Sequence, residues 1–473
     1  MYSSILLRYG EVGLKSRRKK AFFERLYEKA IRDALKKKGI PKFSIANLGG
    51  RFIVNCVGVE EALKILKTVP GIQSMSPAWK IEFKDLKDLV KKVKPIAEPL
   101  TKDKVFCIVT KRAGNHTFTS QDVSKDVGSV LLASSKGVRM KDPDIEVNLE
   151  VRDEKCYVFT EKIDGIGGLP SNSVGKVLCL FSGGIDSPVA AFDMIKRGCA
   201  CDFLFINLVG ESALYDVVQV YNYLIYKYVY NYTPKLYIVD GREIVASLKK
   251  NVQGTYRQIA LKIVFYKLAE KLALEEGHEA MACGEALSQK STQTIRSLSV
   301  IDSQISMLML RPLISQDKLE IIKVAHTIGT FAKSERVQEY CNLSEGPVTA
   351  LPTIKVLDHI PDCSALIDEA LATIRKEKGI VELESVASKD IELKDVQWID
   401  LRTAYEIKED LGLEKKSFEE VLDNTEDLKK GVTYGFVCLF GVKSEELAYQ
   451  LRKKGLKAVG MSVREYVKKK DSF

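Results

Sequence analysis

The sequence predicts a multidomain α/β protein, and three observations carry that prediction. At 473 residues the chain is too long for one hydrophobic core. From Lys176 onward, continuous apolar runs alternate with helix-like stretches, the pattern of a parallel sheet covered on both faces. Charge is divided unevenly: residues 1–175 hold 33 Lys and Arg against 21 Asp and Glu, and the other 298 hold 40 against 42. A basic front joined to a near-neutral remainder suggests a polyanion-binding module attached to a different machine.

Composition excludes several classes. Hydrophobic content of 45% and charged content of 29% are those of an ordinary globular chain. No run approaches the length of a membrane span, and the opening MYSSILLRYGEVGLKSRRKK meets charge too early for a secretory signal. A cytoplasmic protein with no membrane partner is the expectation. The ten cysteines contain no C-x-x-C, and none of the four histidines lies near a cysteine pair at ligand spacing. No metal site built from a protein cluster is expected.

Residues 1–59 read as a strand (SSILLRYG), a basic helix from about Lys19 to Lys38 and a second strand (RFIVNCV). Lys15, Arg17, Arg18, Lys19 and Lys20 crowd the helix start, where the helix dipole by itself favours acids. That placement favours an anionic ligand over a merely solvated face. Residues 60–165 repeat the theme with a helix (EEALKILKTV), and the strand in VFCIVTKRAGNHTFTS ends in Lys111, Arg112, Asn115 and His116. A Gly/Pro/Ser-rich exit, GIGGLPSNS, reads as a linker. A third domain, 172–385, contains VLCLF, PVAAFDMIKRG, CDFLFINL, a helix near 213–230, KLYIVDG, a long helix near 252–276 and EAMACGEA. Its later part includes a helix across CSALIDEALATIRKEKG. Residues 392–473 form a small α/β unit with the strands WIDLR, VTYGFVCLF and KAVGM.

The chemistry begins at VLCLFSGGIDSPVAA (177–191). Gly183 and Gly184 let the backbone turn its N–H groups inward, Ser182 and Ser187 add hydroxyls, and Pro188 suits the first turn of a helix. A helix N-terminus behind such a loop holds phosphate. GLPSNSVGK, by contrast, has the wrong glycine spacing and a Val after its Lys, so it fails as a Walker motif. Asp186 is placed either to cap the helix or to orient a magnesium ion on bound phosphates.

SGGIDS resembles the pyrophosphate loop of the PP-loop ATP-pyrophosphatases, whose domain is adenine nucleotide alpha hydrolase-like. With GEALSQKSTQT (284–294), LRPLISQDK (310–318) and EYCNL (339–343), the chain resembles the tRNA 4-thiouridine synthetase family over nearly its whole length. The resemblance implies a ferredoxin-like domain at 1–59 and a THUMP RNA-binding domain at 60–165. A doubly wound parallel PP-loop domain would follow at 172–385, and a rhodanese-like sulfur-carrier domain at 392–473. It also implies ATP with Mg2+, a tRNA substrate thiolated at position 8, and a cysteine desulfurase as persulfide donor. An added sulfur-carrier role in thiamine thiazole synthesis is implied too. A homodimer is left open.

Carried over by motif, Leu180, Phe181, Ser182, Gly183, Gly184, Ser187, Phe205, Ile206, Lys262, Gly284 and Gln293 would bind ATP. Asp186 and Lys318 would act at the phosphates, Lys318 as the cation that stabilises charge developing during adenylation. Lys15, Arg17, Arg18, Lys19, Lys20, Lys111 and Arg112 would bind tRNA. CLFGVKS (438–444) resembles the rhodanese loop C-x-x-G-x-R-S with Lys443 in place of Arg, and WIDLRTAYE (398–406) resembles that domain's first strand. Lys443 keeps the charge and loses the planar fork. Cys438 would carry the persulfide, stabilised by inward N–H groups, and Cys341 would resolve it. Both cysteines are expected to lie further outside packed apolar runs than Cys107 or Cys179 do. Two alternatives remain: another PP-loop enzyme that modifies tRNA, and a sulfur carrier that does not act on RNA.

Overall fold

β1 (Ser4–Tyr9), α1 (Arg17–Lys37), β2 (Phe43–Asn47), β3 (Phe52–Cys56), α2 (Val59–Leu66) and β4 (Ile72–Glu82) open the chain. They belong to a computed structural model that describes residues 2–470 except 209–210, 338–348, 351, 383–392, 394, 404–405, 408 and 440. The side chains of 211, 212, 442, 446, 449 and 453 are also outside the description. Two compact units emerge, Met1–Pro170 and Ser171–Phe473.

α1 forms because Phe23, Tyr27, Ala30, Ile31, Ala34 and Leu35 recur at helical spacing and bury one face. The first unit continues with α3 (Leu86–Thr101), β5 (Val105–Ala113), α4 (Ser120–Leu131), β6 (Gly137–Val138), β7 (Ile145–Arg152), β8 (Lys155–Phe159) and β9 (Ile163–Asp164). All nine strands share one sheet, in the order β2-β3-β1-β4-β8-β7-β5-β6, with β9 on β4. β4 joins its halves, pairing with β1 from Ile72 to Ala78 and with β8 from Trp79 to Glu82. Leu6, Ile53, Ala78, Tyr157 and Phe159 pack together across that seam. β2, absent from the sequence reading, is a half-exposed edge strand.

In the second unit β10 (Gly175–Leu180), α5 (Asp186–Lys196), β11 (Cys199–Asn207), α6 (Glu211–Tyr228) and β12 (Lys235–Asp240) alternate as expected. There follow α7 (Arg242–Asn251), α8 (Arg257–Glu275), β13 (Ala280–Ala282), α9 (Ile295–Asp302), β14 (Met309–Leu310), α10 (Lys318–Ile328) and α11 (Phe331–Ser334). The sheet order is β14-β13-β10-β11-β12, closed by β15 (Arg375–Lys378). Only β15 runs antiparallel. The chain moves one way from β10 through β12 and then crosses back to β13, so a crevice opens where the order reverses.

One expected helix is corrected. Helix α12 (Ser364–Ala372) stops short, and Arg375–Lys378 become the edge strand β15 on β12. An edge strand tolerates this charge, and Lys376 pairs with Glu276 at 2.8 Å.

The last part is a four-stranded parallel sheet, with β16 (Gln397–Asp400), β17 (Glu414–Lys415), β18 (Thr433–Cys438) and β19 (Lys457–Ser462) ordered β17-β16-β18-β19. Helices α13 (Phe418–Asp423), α14 (Val442–Lys453) and α15 (Val463–Lys469) accompany it.

Candidate functional site

At the ends of β10, β11 and β13 lies a cleft of about 600 Å³. Its walls include Leu180, Phe181, Ser182, Gly184, Asp186, Ser187, Phe205, Ile206, Lys262, Gly284 and Gln293, brought together from separate segments of the chain. Gly183 does not border the cleft but shapes the turn. Its φ of +77° suits glycine, and a Cβ there would sit 2.9 Å from Val217 Cγ2 of α6. Gly284 has a different reason: a Cβ would fall 2.8 Å from the backbone carbon of Asp186, where the exit of β13 passes the start of α5.

The loop's amides converge. The N–H groups of Ser182 and Gly183 both donate to Ser187 Oγ at 3.1 Å. α5 starts with no side-chain cap, so its first N–H groups face the loop. The uncapped N–H groups of α5 and its helix dipole therefore favour an anion at this end of the cleft. Beside it, Lys318 Nζ lies 2.5 Å from Asp186 Oδ1. Lys318 is the first residue of α10, whose start is fixed by a capping box between Asp317 and Glu320.

The cleft floor holds a charge network that the sequence reading missed. Glu285, 2% exposed, lies 3.1 Å from Lys262 Nζ and accepts from Tyr266 Oη at 2.5 Å and Arg311 Nε at 2.9 Å. Arg311 also forks onto Asp302 at 2.9 and 2.5 Å. Burial pushes the Glu285 carboxyl up, but Lys262, Tyr266 and Arg311 outweigh it and hold it at about 2. Glu285 and Arg311 stand inside GEALSQKSTQT and LRPLISQDK, so the motifs were the available signal. Gln293 is 5% exposed, and its Oε1 has no hydrogen-bond partner among the described residues. An orphaned acceptor bordering the cleft is a group that a ligand's N–H can satisfy.

A second loop joins β18 to α14. Cys438 ends the strand, Gly441 turns the chain at φ +80°, and the N–H of Ser444 donates to Cys438 Sγ at 3.3 Å. Ser444 Oγ lies 3.4 Å from the same sulfur, and its one proton has the carbonyls of Met461 at 2.8 Å and Gly441 at 3.0 Å as acceptors. The expected contrast with Cys107 and Cys179 is slight: Cys438 is 4% exposed against 2% for each of those, and it belongs to a core cluster with Ile399, Phe436 and Leu447. The strand end must be buried for β18 to sit inside its sheet. Asp400 and Arg402 form a buried fork at 2.7 to 3.1 Å. Lys443 Nζ lies 3.9 Å from Glu406 Oε2. Cys341 lies outside the described residues.

In the first unit Arg17, Arg18 and Lys19 are exposed at the start of α1. Lys15 lies over the Phe23 ring, and Lys20 lies 3.9 Å from Glu24. Lys111 is exposed, and Arg112 donates to Gly114 O at 2.9 Å beside His116. Among the described residues no three His, Cys, Asp or Glu side chains group as a metal site. No described helix is long and apolar enough to cross a membrane.

Comparison with known proteins gives three family-model matches. They are "Thiamine biosynthesis protein (ThiI)" over 172–359, the THUMP domain over 83–161 and the ThiI ferredoxin-like domain over 4–76. The chain is 32% identical to a tRNA sulfurtransferase of Pyrobaculum aerophilum, over 97% of this chain and 96% of that one. It is 34% identical to a tRNA sulfurtransferase of Desulfurococcus amylolyticus, over 96% and 95%. A crystal structure of a 4-thiouridine synthetase–RNA complex with bound ATP superimposes with a TM-score of 0.68 at 26% identity, covering 80% of this chain and all of that one.

Proposed function

The chain belongs to the tRNA sulfurtransferase family, and we propose that it is an ATP-dependent enzyme that makes 4-thiouridine at position 8 of tRNA. The observation that carries the reading is the cleft, where an inward-facing amide loop, the Asp186–Lys318 pair and the Lys262–Glu285–Arg311 network meet.

In this scheme the uncapped start of α5, with the hydroxyls of Ser182 and Ser187, holds the β- and γ-phosphates of ATP. Leu180, Phe205, Ile206 and the unpartnered Gln293 Oε1 flank the adenosine. Uridine O4 attacks the α-phosphorus, the bond to the bridging oxygen breaks, and pyrophosphate remains in the loop as leaving group. Lys318 stabilises the negative charge that develops in this step. The donor set fits magnesium, because Asp186 has a second carboxylate oxygen beside the one that accepts from Lys318. When bound, that ion neutralises phosphate charge.

Sulfur follows from the second loop. A cysteine desulfurase loads an outer sulfur on Cys438, and the Ser444 N–H is placed to stabilise the anion. The outer sulfur attacks C4, AMP leaves with the oxygen, and a Cys438–S–S–uridine bridge remains. Attack by the Cys341 thiolate on Cys438 releases 4-thiouridine and leaves a Cys341–Cys438 disulfide, which a dithiol reductant reopens. The exposed Arg17, Arg18 and Lys19, with Lys15, Lys20, Lys111 and Arg112, hold the tRNA backbone, so binding weakens as salt rises.

The test is 4-thiouridine formation on unmodified tRNA with ATP, magnesium, cysteine and a cysteine desulfurase. Product that requires both ATP and the desulfurase supports the reading. Pyrophosphate release on tRNA without 4-thiouridine would point to another acceptor.

A further inference from the structure

Helix α6 serves two places at once. Near its start Ala213 and Val217 border the nucleotide cleft, and Val217 backs Gly183 in the phosphate loop. Thirteen residues on, about 20 Å along a helix, Tyr226 Oη donates to Glu406 Oε1 of the C-terminal part at 3.4 Å. Glu406 is 8% exposed. Its other oxygen accepts from the Thr403 N–H at 2.9 Å and Thr403 Oγ1 at 3.2 Å, and lies 3.9 Å from Lys443 Nζ. Lys443 precedes Ser444, whose N–H reaches Cys438 Sγ. Burial raises the Tyr226 hydroxyl above its ordinary range, with Glu406 and then Cys438 adding to the effect.

A second tie lies one helical turn back on α6. Asn222 pairs with both the N–H and the carbonyl of Val381, at 2.9 and 2.7 Å, just ahead of the stretch leading to β16.

We propose that Glu406 is a positioning residue for sulfur transfer, fastening the Cys438 loop, through Tyr226, to the helix that also walls the nucleotide cleft. A buried carboxylate is costly unless satisfied, and here its partners come from both domains. The arrangement fixes the orientation in which the sulfur loop meets the nucleotide-binding domain. The inference rests on the reading that Cys438 carries the sulfur.

The competing account is that Glu406 merely closes its own turn with Thr403. That account does not explain the contact from Tyr226 Oη to the carboxylate. The experiment measures 4-thiouridine formation and pyrophosphate release by full-length Glu406→Gln, Tyr226→Phe and the double variant, with saturating ATP and tRNA. Loss of a hydrogen bond to a charged group predicts about tenfold slower thiolation for Glu406→Gln and about threefold for Tyr226→Phe. The double variant should be no slower than Glu406→Gln, because both act through one contact. Pyrophosphate release and the KM for tRNA stay at wild-type values. Tyr226→Phe removes one hydroxyl from α6 and leaves the Thr403 turn intact, so it stays informative even where Glu406→Gln folds poorly. Wild-type thiolation by Tyr226→Phe, or independent effects in the double variant, overturns the proposal. Cys438→Ala run in parallel separates the failures. If it still thiolates, the sulfur reading falls and this inference with it; if it is dead while Glu406→Gln is normal, only the inference falls.

Discussion

The phosphate loop and the sulfur loop use the same local device with opposite surroundings. Each follows a parallel strand into a helix, and each turns on a glycine in the left-handed region, Gly183 at φ +77° and Gly441 at φ +80°. Each also folds a serine of the first helical turn back into the loop, Ser187 and Ser444. The difference is cover. Ser182 is exposed beside an open cleft, whereas Cys438 is packed into a hydrophobic cluster. Inward N–H groups make both loops suited to an anion. On the proposed function, the packing around them decides whether that anion is a diffusing nucleotide or a sulfur fixed to the chain.

The sharpest way to break this comparison is to disable one loop and read the other. Asp186→Asn and Lys318→Ala should each cut pyrophosphate release on tRNA by roughly 10²- to 10³-fold, the size of losing one charge-stabilising group. Loading of Cys438 by the desulfurase, read as a labelled persulfide by mass spectrometry, should be unchanged. Loss of loading in either variant would show that the two loops are not chemically separable.

Acid sharpens the comparison next, because the network beneath the phosphate loop titrates. Glu285 has its carboxyl held at about 2 in the folded protein, below the ordinary value of 4.5. A depressed carboxylate contributes stability above its unfolded pKa and loses it as pH falls through the folded one. Thermal midpoints of the wild type should therefore drop progressively between pH 4.5 and 2, and Glu285→Gln should show a flatter drop. Equal slopes for the two proteins would contradict the assignment.

The smallest effect separates the two glycines. Alanine at either carries left-handed strain of about 1 kcal/mol or more. Only at Gly183 does its Cβ also meet a side-chain carbon at 2.9 Å, while at Gly441 the nearest atom is the Ser462 nitrogen at 3.3 Å. Gly183→Ala should lower the melting temperature by the larger amount; an equal fall would mean that α6 yields where Val217 stands.

The phosphate loop was legible because its information is local: strand, glycine turn, hydroxyls and helix follow one another in SGGIDS. The βα alternation was legible for the same reason. Pairing was not. β15 (RKEK) holds no apolar residue and β2 (FSIAN) is short and half-exposed; both are edge strands that exist because β12 and β3 offer open backbone partners. The shared strand β4 was invisible too, since nothing local says that its two ends pair with different neighbours. Glu285 was in view as a letter, but its burial depends on Lys262 and Arg311 arriving from α8 and the end of β14. The contact from Tyr226 to Glu406 is of the same kind, because it depends on how the last sheet rests on α6.

The central claim is that one loop activates the tRNA and the other delivers sulfur. The most direct measurement follows pyrophosphate and 4-thiouridine together, on the same unmodified tRNA, for the wild type and Cys438→Ala. The account predicts that the wild type forms both, and that Cys438→Ala releases pyrophosphate at an undiminished initial rate but makes no 4-thiouridine. Full thiolation by Cys438→Ala would contradict it, because sulfur would then reach the nucleotide without the second loop.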